Sequence, residues 1–133
     1  MCIRDSVLAN SHQGLGIDEL SAVGDADDIR RMISLARSVH VDDSVMEYVV
    51  RLVSATRTMP GVRLGASPRG SVGLLRAAQV AAAMDGRTYV SPVDAQRLAV
   101  PVLAHRLVLA DVEADAGARA QAIEQVVASV PVG

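Results

Sequence analysis

The stretch at residues 67–86, SPRGSVGLLRAAQVAAAMDG, decides the fold because it carries the clearest helix start in the sequence. We expect the Ser67 hydroxyl to cap the first turn, and Pro68 suits the first helical position, where no backbone N–H is needed. Gly86 suits the left-handed position that follows a helix end. The residues predicted to form the buried stripe of this helix are Val72, Leu75, Ala78 and Ala82.

Helical patterns flank this stretch on both sides. The Ser-Pro start recurs at Ser91-Pro92, with Asp94 three residues past the cap, and acidic residues open two further helices upstream. The other predicted helices cover about residues 26–38, 43–57, 92–103 and 118–129. Their periodicity predicts a mainly helical bundle of about four to five helices joined by short connectors.

The connectors include short segments that are rich in β-branched residues. Residues 39–41 are predicted to form an extended connector, and residues 59–66 a loop that follows the second helix. Residues 89–90 and 107–109 are short β-prone pieces that could pair with each other.

The composition limits both the core and the chemistry. The chain has 133 residues, enough for one domain of ordinary size, and half of them are hydrophobic. With no Phe or Trp and only two Tyr, the core must be built from Ala, Val, Leu, Ile and Met. All thirteen basic residues are Arg, which excludes a phosphate-binding loop that ends in Lys, a Schiff-base lysine and a Ser–Lys catalytic pair.

The net charge of −2 is unevenly distributed along the chain. Residues 51–106 carry a net charge of +6, whereas residues 1–50 carry −5 and residues 107–133 carry −3. A basic segment between acidic flanks is a reasonable footprint for an anionic partner. The alternative is that the arginines simply cover solvated helix faces.

Several functional classes find no support in the sequence. His12, His40 and His105 are scattered and have no Cys pair beside them, which argues against a metal site. The segment at 65–69, GASPR, begins like a nucleophile elbow, but the Arg at its fifth position argues against a serine hydrolase. No carboxylates are paired for acid–base catalysis, and the shortage of aromatic residues argues against single-strand nucleic-acid binding. Major-groove binding through the arginines stays open, although no recognisable motif supports it.

Cysteine usage and hydropathy bear on the compartment. The single Cys2 cannot form an internal disulfide, so the chain fits a reducing environment. No apolar run approaches the roughly 18–20 residues that span a membrane, and the N-terminus has no signal-peptide pattern. We therefore expect a soluble cytoplasmic protein that is not associated with a membrane.

The start of the helix at 67–86 is the one place where the residues suggest binding chemistry. Arg69 lies in the first turn, beside unsatisfied backbone N–H groups and the positive end of the helix dipole, where phosphate is favoured. Arg69, Gly73 and Arg76 are spaced by four and three, so they share a stripe in which the glycine leaves space for a ligand between two guanidiniums. A guanidinium can donate two hydrogen bonds to phosphate at once. The alternative is an exposed helix arginine with a salt-bridge partner.

Five segments spread over most of the chain carry a family resemblance. They are LVSATR at 52–57, VRLGASPRG at 62–70, LRAA at 75–78, DGRTYVSPVD at 85–94 and LAVPVLAHRL at 98–107. Together they strongly resemble the C-terminal lid of MoxR-family AAA+ ATPases, and the motifs GASPR and PVLAHRL are highly specific. Weaker similarity extends back to about Val7 and forward to VPV at 130–132. The resemblance implies a helical AAA+ lid domain at residues 26–133.

The resemblance implies a catalytic role for Arg69. In AAA+ lids an arginine in the first turn of a lid helix, the second sensor, approaches the γ-phosphate of ATP held by the core domain, and Arg69 occupies the matching position. The residues implied to bind the nucleotide with it are Gly65, Ala66, Ser67, Pro68, Gly73 and Arg76. ATP is the implied cofactor, with Mg²⁺ held by the core. His105 and Arg106 match a family signature, for which we expect packing or contact with a neighbouring subunit.

The resemblance also implies a larger assembly. Full-length members carry an N-terminal core with the Walker A lysine, the Walker B acids and the first sensor, so we expect this chain to be a fragment that does not turn over ATP alone. Residues 1–6 do not resemble the family and are expected to be non-native or disordered, and residues 7–25 to be a linker from the core. The implied partners are that core, neighbouring subunits in a ring that is often hexameric, and a von Willebrand-A-domain protein.

These observations give one leading hypothesis and two alternatives. The leading hypothesis is the lid of a chaperone-like assembly machine, in which the lid couples ATP hydrolysis to conformational change. The first alternative is a stand-alone helical module that holds an acidic partner through its basic segment. The second is a helical nucleic-acid binder.

Overall fold

The computed structural model describes residues 20–111 and 113–132, and the predictions for residues 1–6 and most of 7–25 lie outside this part. Its elements, in chain order, are α1 (Ala26–Ser38), α2 (Asp43–Thr58), β1 (Val62–Leu64), α3 (Pro68–Met84), α4 (Pro92–Leu103), a 3₁₀ turn (Ala104–Arg106), β2 (Val108–Leu109) and α5 (Ala116–Ser129). The mainly helical class is confirmed. Among these helices, none combines the length and the apolar character needed to cross a membrane.

The chain divides into two units, Met1–Arg31 and Met32–Gly133, and the boundary falls inside α1. In the described part of the first unit, the backbone N–H of Asp25 donates to Asp28 Oδ2 (2.9 Å), and the N–H of Asp28 donates to Asp25 Oδ1 (2.8 Å). Arg30 pairs with Asp27, and Arg31 pairs with Asp28. The acids thus satisfy N–H groups that a helix start leaves without partners, which explains why α1 begins here.

The core of the second unit lies between α2, α3, α4 and α5. Each helix contributes a large side chain that is at most 1% exposed, and these are Leu52, Leu74, Leu103 and Ile123. The buried Tyr48 places its hydroxyl beside Gln96, whose Nε2 donates a hydrogen bond to it (3.0 Å). The core is therefore almost entirely aliphatic, as the composition predicted.

The buried stripe of α3 differs in part from the predicted one. Ala78 and Ala82 are buried as expected, but Val72 is 50% exposed and Leu75 is only partly buried. The buried positions recur every four residues and are Gly70, Leu74, Ala78 and Ala82. Three of these four are small, so α4 can pack closely against α3. The prediction was wrong at Val72, and it left out the fully buried Leu74, because the stripe continues back from Ala78 in steps of four residues.

The β-prone pieces pair differently from the prediction. β2 pairs with β1 in an antiparallel two-stranded sheet, with Val62 opposite Leu109. Tyr89 does not join this sheet and instead forms an isolated parallel bridge with His40, which confirms the extended connector there. The prediction missed β1 because the Pro-Gly pair before it favoured reading the whole segment as a loop.

Capping follows the prediction at α4 but not at α3. The Ser91 backbone N–H and hydroxyl both donate to Asp94 Oδ2 (2.8 and 2.9 Å), which closes the start of α4. Ser67 is the N-cap residue of α3, but its hydroxyl makes no capping hydrogen bond with the described residues, contrary to expectation. Gly86 follows α3 with a φ of 72°, the left-handed conformation predicted for it.

Candidate functional site

The loop before α3 is fixed to the end of α2 by a buried threonine. Thr56 Oγ1 accepts a hydrogen bond from the backbone N–H of Ala66 (2.9 Å) and donates one to the carbonyl of Val53 (2.6 Å). Thr56 and Ala66 are both fully buried, so no water can replace a lost bond without cost. Thr56 therefore sets the position of the residue that directly precedes the α3 N-cap.

Arg57 and Gly65 complete this attachment. Arg57 Nη1 donates to the carbonyl of Ala66 (3.0 Å), and its Nη2 donates to Ser54 Oγ (2.9 Å). A Cβ on Gly65 would lie 2.7 Å from the backbone N and Cα of Arg57, which is too close for any side chain. Gly65 and Ala66, predicted to shape the approach to a nucleotide, thus hold the loop against α2. The Thr-Arg pair at 56–57 carried part of the resemblance, but sequence reasoning assigned it no role.

Arg69 lies exposed in the first turn of α3. Within residues 20–111 and 113–132 no carboxylate lies within 4.0 Å of its guanidinium, so the salt-bridged alternative finds no partner there. Pro68 has no N–H, the Gly70 N–H donates to the carbonyl of Ser67 (2.7 Å), and the Ser67 hydroxyl is not used as a cap. A guanidinium, a hydroxyl and the positive helix end thus come together, an arrangement that favours an anion.

The predicted space at Gly73 is not simply open. A Cβ on Gly73 would lie 3.6 Å from Val102 Cγ1 and 3.9 Å from Arg106 Nη2. The stripe of Arg69, Gly73 and Arg76 therefore borders the segment after α4, and a third guanidinium occupies part of the predicted gap. Spacing along α3 could not predict this contact, because it joins residues that are far apart in sequence.

Arg106 is the site residue that sequence reasoning left without a chemical role. Its Nε donates to the carbonyl of Val102 (3.0 Å), and its side chain remains exposed. It ends the 3₁₀ turn between the buried Leu103 and Leu107, which anchor the turn in the core. Its neighbour His105 is exposed. The only signal in the sequence was the His-Arg pair of the resemblance, which does not say what Arg106 faces.

A second arginine cluster lies at the other end of α3 and is paired with acids. Arg87 Nη1 and Nη2 donate to Asp94 Oδ2 and Oδ1 (2.8 and 2.7 Å), and Nη2 also donates to Asp85 (3.0 Å). The hydrogen bonds from Arg87 lower the pKa of the buried Asp94 carboxyl to about 2 and raise the pKa of Arg87 itself. Arg97 lies 3.7 Å from Asp85. Part of the basic segment is therefore neutralised here, away from Arg69.

Known proteins are similar in sequence to much of this chain. A family model described as AAA lid domain matches residues 54–126. The chain is 39% identical over 117 residues to the uncharacterized protein YeaC of Bacillus subtilis (strain 168), an alignment that covers 88% of this chain and 37% of YeaC. It is 40% identical over 91 residues to the chaperone MoxR1 of Mycobacterium tuberculosis (strain ATCC 25618 / H37Rv), which covers 62% of this chain and 24% of MoxR1.

A solved structure shares the fold. The crystal structure of a putative ATPase from Cytophaga hutchinsonii ATCC 33406 superimposes with a TM-score of 0.76 at 24% sequence identity, over 96% of this chain and 42% of the other. The chain thus spans well under half the length of each of these proteins. Because the family model matches more than half of the residues and includes α3, this chain belongs to the AAA lid domain family.

Proposed function

We propose that this chain is the lid of an ATP-driven AAA+ machine and that Arg69 is its second sensor, which contacts the γ-phosphate of ATP. The observation that carries the proposal is the exposed Arg69 in the first turn of α3, without a carboxylate partner in the described part of the chain. The matched segment at 54–126 includes this turn, which supports the assignment.

The attachment of α3 supports a sensor role. A sensor must meet the γ-phosphate in one fixed place, because stabilisation of phosphoryl transfer depends on preorganised charge. Thr56, Arg57 and Gly65 fix the loop before α3 to α2, which itself belongs to the packed core. Loss of the γ-phosphate would therefore release the lid as one packed body, which is how hydrolysis would drive a conformational change.

The other predicted site residues have supporting roles in this proposal. The Ser67 hydroxyl, which is not used as a cap, adds a hydrogen-bond donor near the phosphates, and Pro68 starts the helix without an N–H. Arg76 adds positive charge two turns further along the same stripe. Mg²⁺ and the groups that activate water would belong to the ATPase core, so the lid alone would not hydrolyse ATP.

The wider assembly is part of the same proposal. The relative MoxR1 is named a chaperone, and we extend that role to the protein that carries this lid. The partners would be its own core, neighbouring subunits in a ring and a von Willebrand-A-domain protein. Two observations favour this function over a stand-alone module for an acidic partner. The chain belongs to the AAA lid domain family, and Arg87 and Arg97 of the basic segment already pair with acids of the lid.

A chimera tests the sensor assignment. Residues 20–133 would replace the matching lid segment of MoxR1, and ATP turnover would be measured by phosphate release. We expect Arg69→Ala to lower turnover at least about tenfold, because an arginine at the transferring phosphoryl group contributes orders of magnitude to the rate. Circular dichroism should show an unchanged helix content, since Arg69 is exposed.

The matched control is Arg97→Ala in the same chimera. Arg97 belongs to the same basic segment but lies near Asp85, at the opposite end of α3 from Arg69. It should leave turnover unchanged. Turnover in Arg69→Ala equal to that of the unsubstituted chimera would refute the sensor assignment.

A further inference from the structure

Arg106 lies against the glycine face of α3. Its Cδ is 3.8 Å from the position that a Cβ on Gly70 would take, and its Nη2 is 3.9 Å from that on Gly73. The hydrogen bond from its Nε to the carbonyl of Val102 holds the side chain across the boundary between α4 and α3. A larger side chain at residue 73 would displace the Arg106 guanidinium. The guanidinium can lie here because residue 73 is a glycine.

This position brings Arg106 to the face that carries Arg69. Gly73 lies four residues after Arg69 and three before Arg76, so neighbouring positions on this face have Cβ atoms about 5–6 Å apart. The Arg106 guanidinium therefore lies beside the position that separates Arg69 from Arg76 on this face. In the part of the chain that the structure describes, none of the three has a carboxylate within 4.0 Å, whereas Arg87 contacts two.

The charge of this face favours an anion with several oxygens. Three like charges on one surface repel each other, and an anion bound among them would offset this repulsion by attracting each arginine. The bond to Val102 uses only one of the five N–H donors of Arg106. We propose that Arg106 is a second phosphate-binding arginine, which holds the same polyphosphate as Arg69; this inference rests on the proposed sensor role of Arg69.

A polyphosphate held by both arginines bridges two parts of the lid. Arg69 belongs to α3, whereas Arg106 ends the 3₁₀ turn Ala104–Arg106 that follows α4. The next residue, Leu107, is buried and leads directly into β2, which pairs with β1. Binding or loss of the polyphosphate thus changes the contacts of α3 and of the segment from α4 to β2 at the same time.

The experiment titrates the 133-residue chain with inorganic tripolyphosphate and, separately, with ATP, while NMR follows the arginine Nε–Hε signals. The signals of Arg69 and Arg106 should move together with one apparent Kd in the millimolar range. Arg69→Gln and Arg106→Gln should each raise that Kd about 5- to 10-fold, because each removes a charge-assisted hydrogen-bond donor. Arg97→Gln, at the other end of α3, should leave the Kd unchanged.

The outcomes separate the inference from the sensor assignment. A higher Kd in Arg69→Gln alone would overturn the role of Arg106 and leave Arg69 in place. A higher Kd in Arg106→Gln alone would overturn the shared site. If neither variant differs from Arg97→Gln, the inference fails, and the turnover of Arg69→Ala in the chimera decides the sensor assignment separately.

A second variant tests the same geometry without removing an arginine. Gly73→Glu has room for its Cβ, since the nearest atom, Val102 Cγ1, would be 3.6 Å away. Its carboxylate would compete with phosphate for the three guanidiniums and raise the Kd about tenfold or more relative to Gly73→Gln, which has the same size and no charge. Equal Kd values for Gly73→Glu and Gly73→Gln would show that the polyphosphate binds elsewhere.

Discussion

At the scale of single residues, two glycines near the candidate site have different reasons to lack a side chain. Gly65 meets the backbone of Arg57, where a Cβ would be 2.7 Å from two backbone atoms that cannot move independently. Gly73 meets only side-chain atoms at 3.6 Å or more, which is ordinary van der Waals distance. Gly65 is therefore required by the fold, whereas packing does not require a glycine at position 73, which borders the proposed polyphosphate site.

Gly65→Ala should destabilise the lid by about 1–3 kcal/mol, because the loop must shift away from α2 and strain the hydrogen bonds at Ala66. Gly73→Ala is the matched control and should change the free energy of unfolding by less, since alanine also favours the helix by about 0.5–1 kcal/mol. Urea unfolding followed by circular dichroism measures both. Similar losses at the two positions would contradict this account of Gly65.

The sequence could place Arg69 but not Arg106. A Ser-Pro pair starts a helix by local rules, so the first turn and its arginine follow from the adjacent residues. The contact of Arg106 with Gly70 and Gly73 depends on how α4 packs against α3, which local spacing does not encode. The same reason explains why local spacing predicts no structural role for Thr56 and Arg57, whose partner Ala66 lies in the next loop.

At the scale of elements, the end of α3 is joined to the start of α4 by an ion pair between the partly exposed Arg87 and the buried Asp94. Asp94 accepts from Arg87 through both carboxylate oxygens, and it also accepts from the N–H and hydroxyl of Ser91. One side chain thus caps α4 and fixes the turn that follows α3. The cap was predictable from the Ser-Pro-Val-Asp spacing, but the arginine was not, because it pairs across the turn.

Asp94→Asn should cost about 2 kcal/mol of stability at neutral pH, because the pKa of Asp94 falls from its ordinary 3.8 to about 2 in the folded chain. The folded state favours the ionised carboxyl, so this stabilisation is complete above about pH 5 and is lost as the pH falls through 3.8 towards 2. Urea unfolding at several acidic pH values should therefore show that the free energy of unfolding falls less steeply with pH in the variant than in the unsubstituted chain.

Asp85→Asn serves as the control for this pair. Its carboxylate also contacts Arg87, but the side chain is 47% exposed, so its removal should cost less than about 1 kcal/mol. An equal loss of unfolding free energy in Asp85→Asn and Asp94→Asn would mean that burial does not distinguish the two carboxylates.

At the scale of the whole molecule, the helices differ in how much tertiary packing stabilises them. Among the residues that the structure describes, none of α1 is buried, and Ile29, Met32 and Leu35 are 56%, 63% and 61% exposed. Its apolar spacing predicted the helix correctly, because that spacing reflects helical periodicity. An amphipathic pattern predicts a helix with an apolar face but does not indicate which residues cover that face. The sequence therefore could not predict the exposure of these side chains.

Hydrogen exchange should separate α1 from α5, a helix of nearly the same length. α1 has 13 residues and no buried side chain, whereas α5 has 14 residues and buries Ala122, Ile123 and Val126. Helices shorter than about 12–15 residues are marginal in water without tertiary contacts, so amides of α1 should exchange at least about 100-fold faster than those of α5. Amide exchange of the 133-residue chain followed by NMR at neutral pH measures this ratio, and equal protection of the two helices would show that α1 is packed in solution.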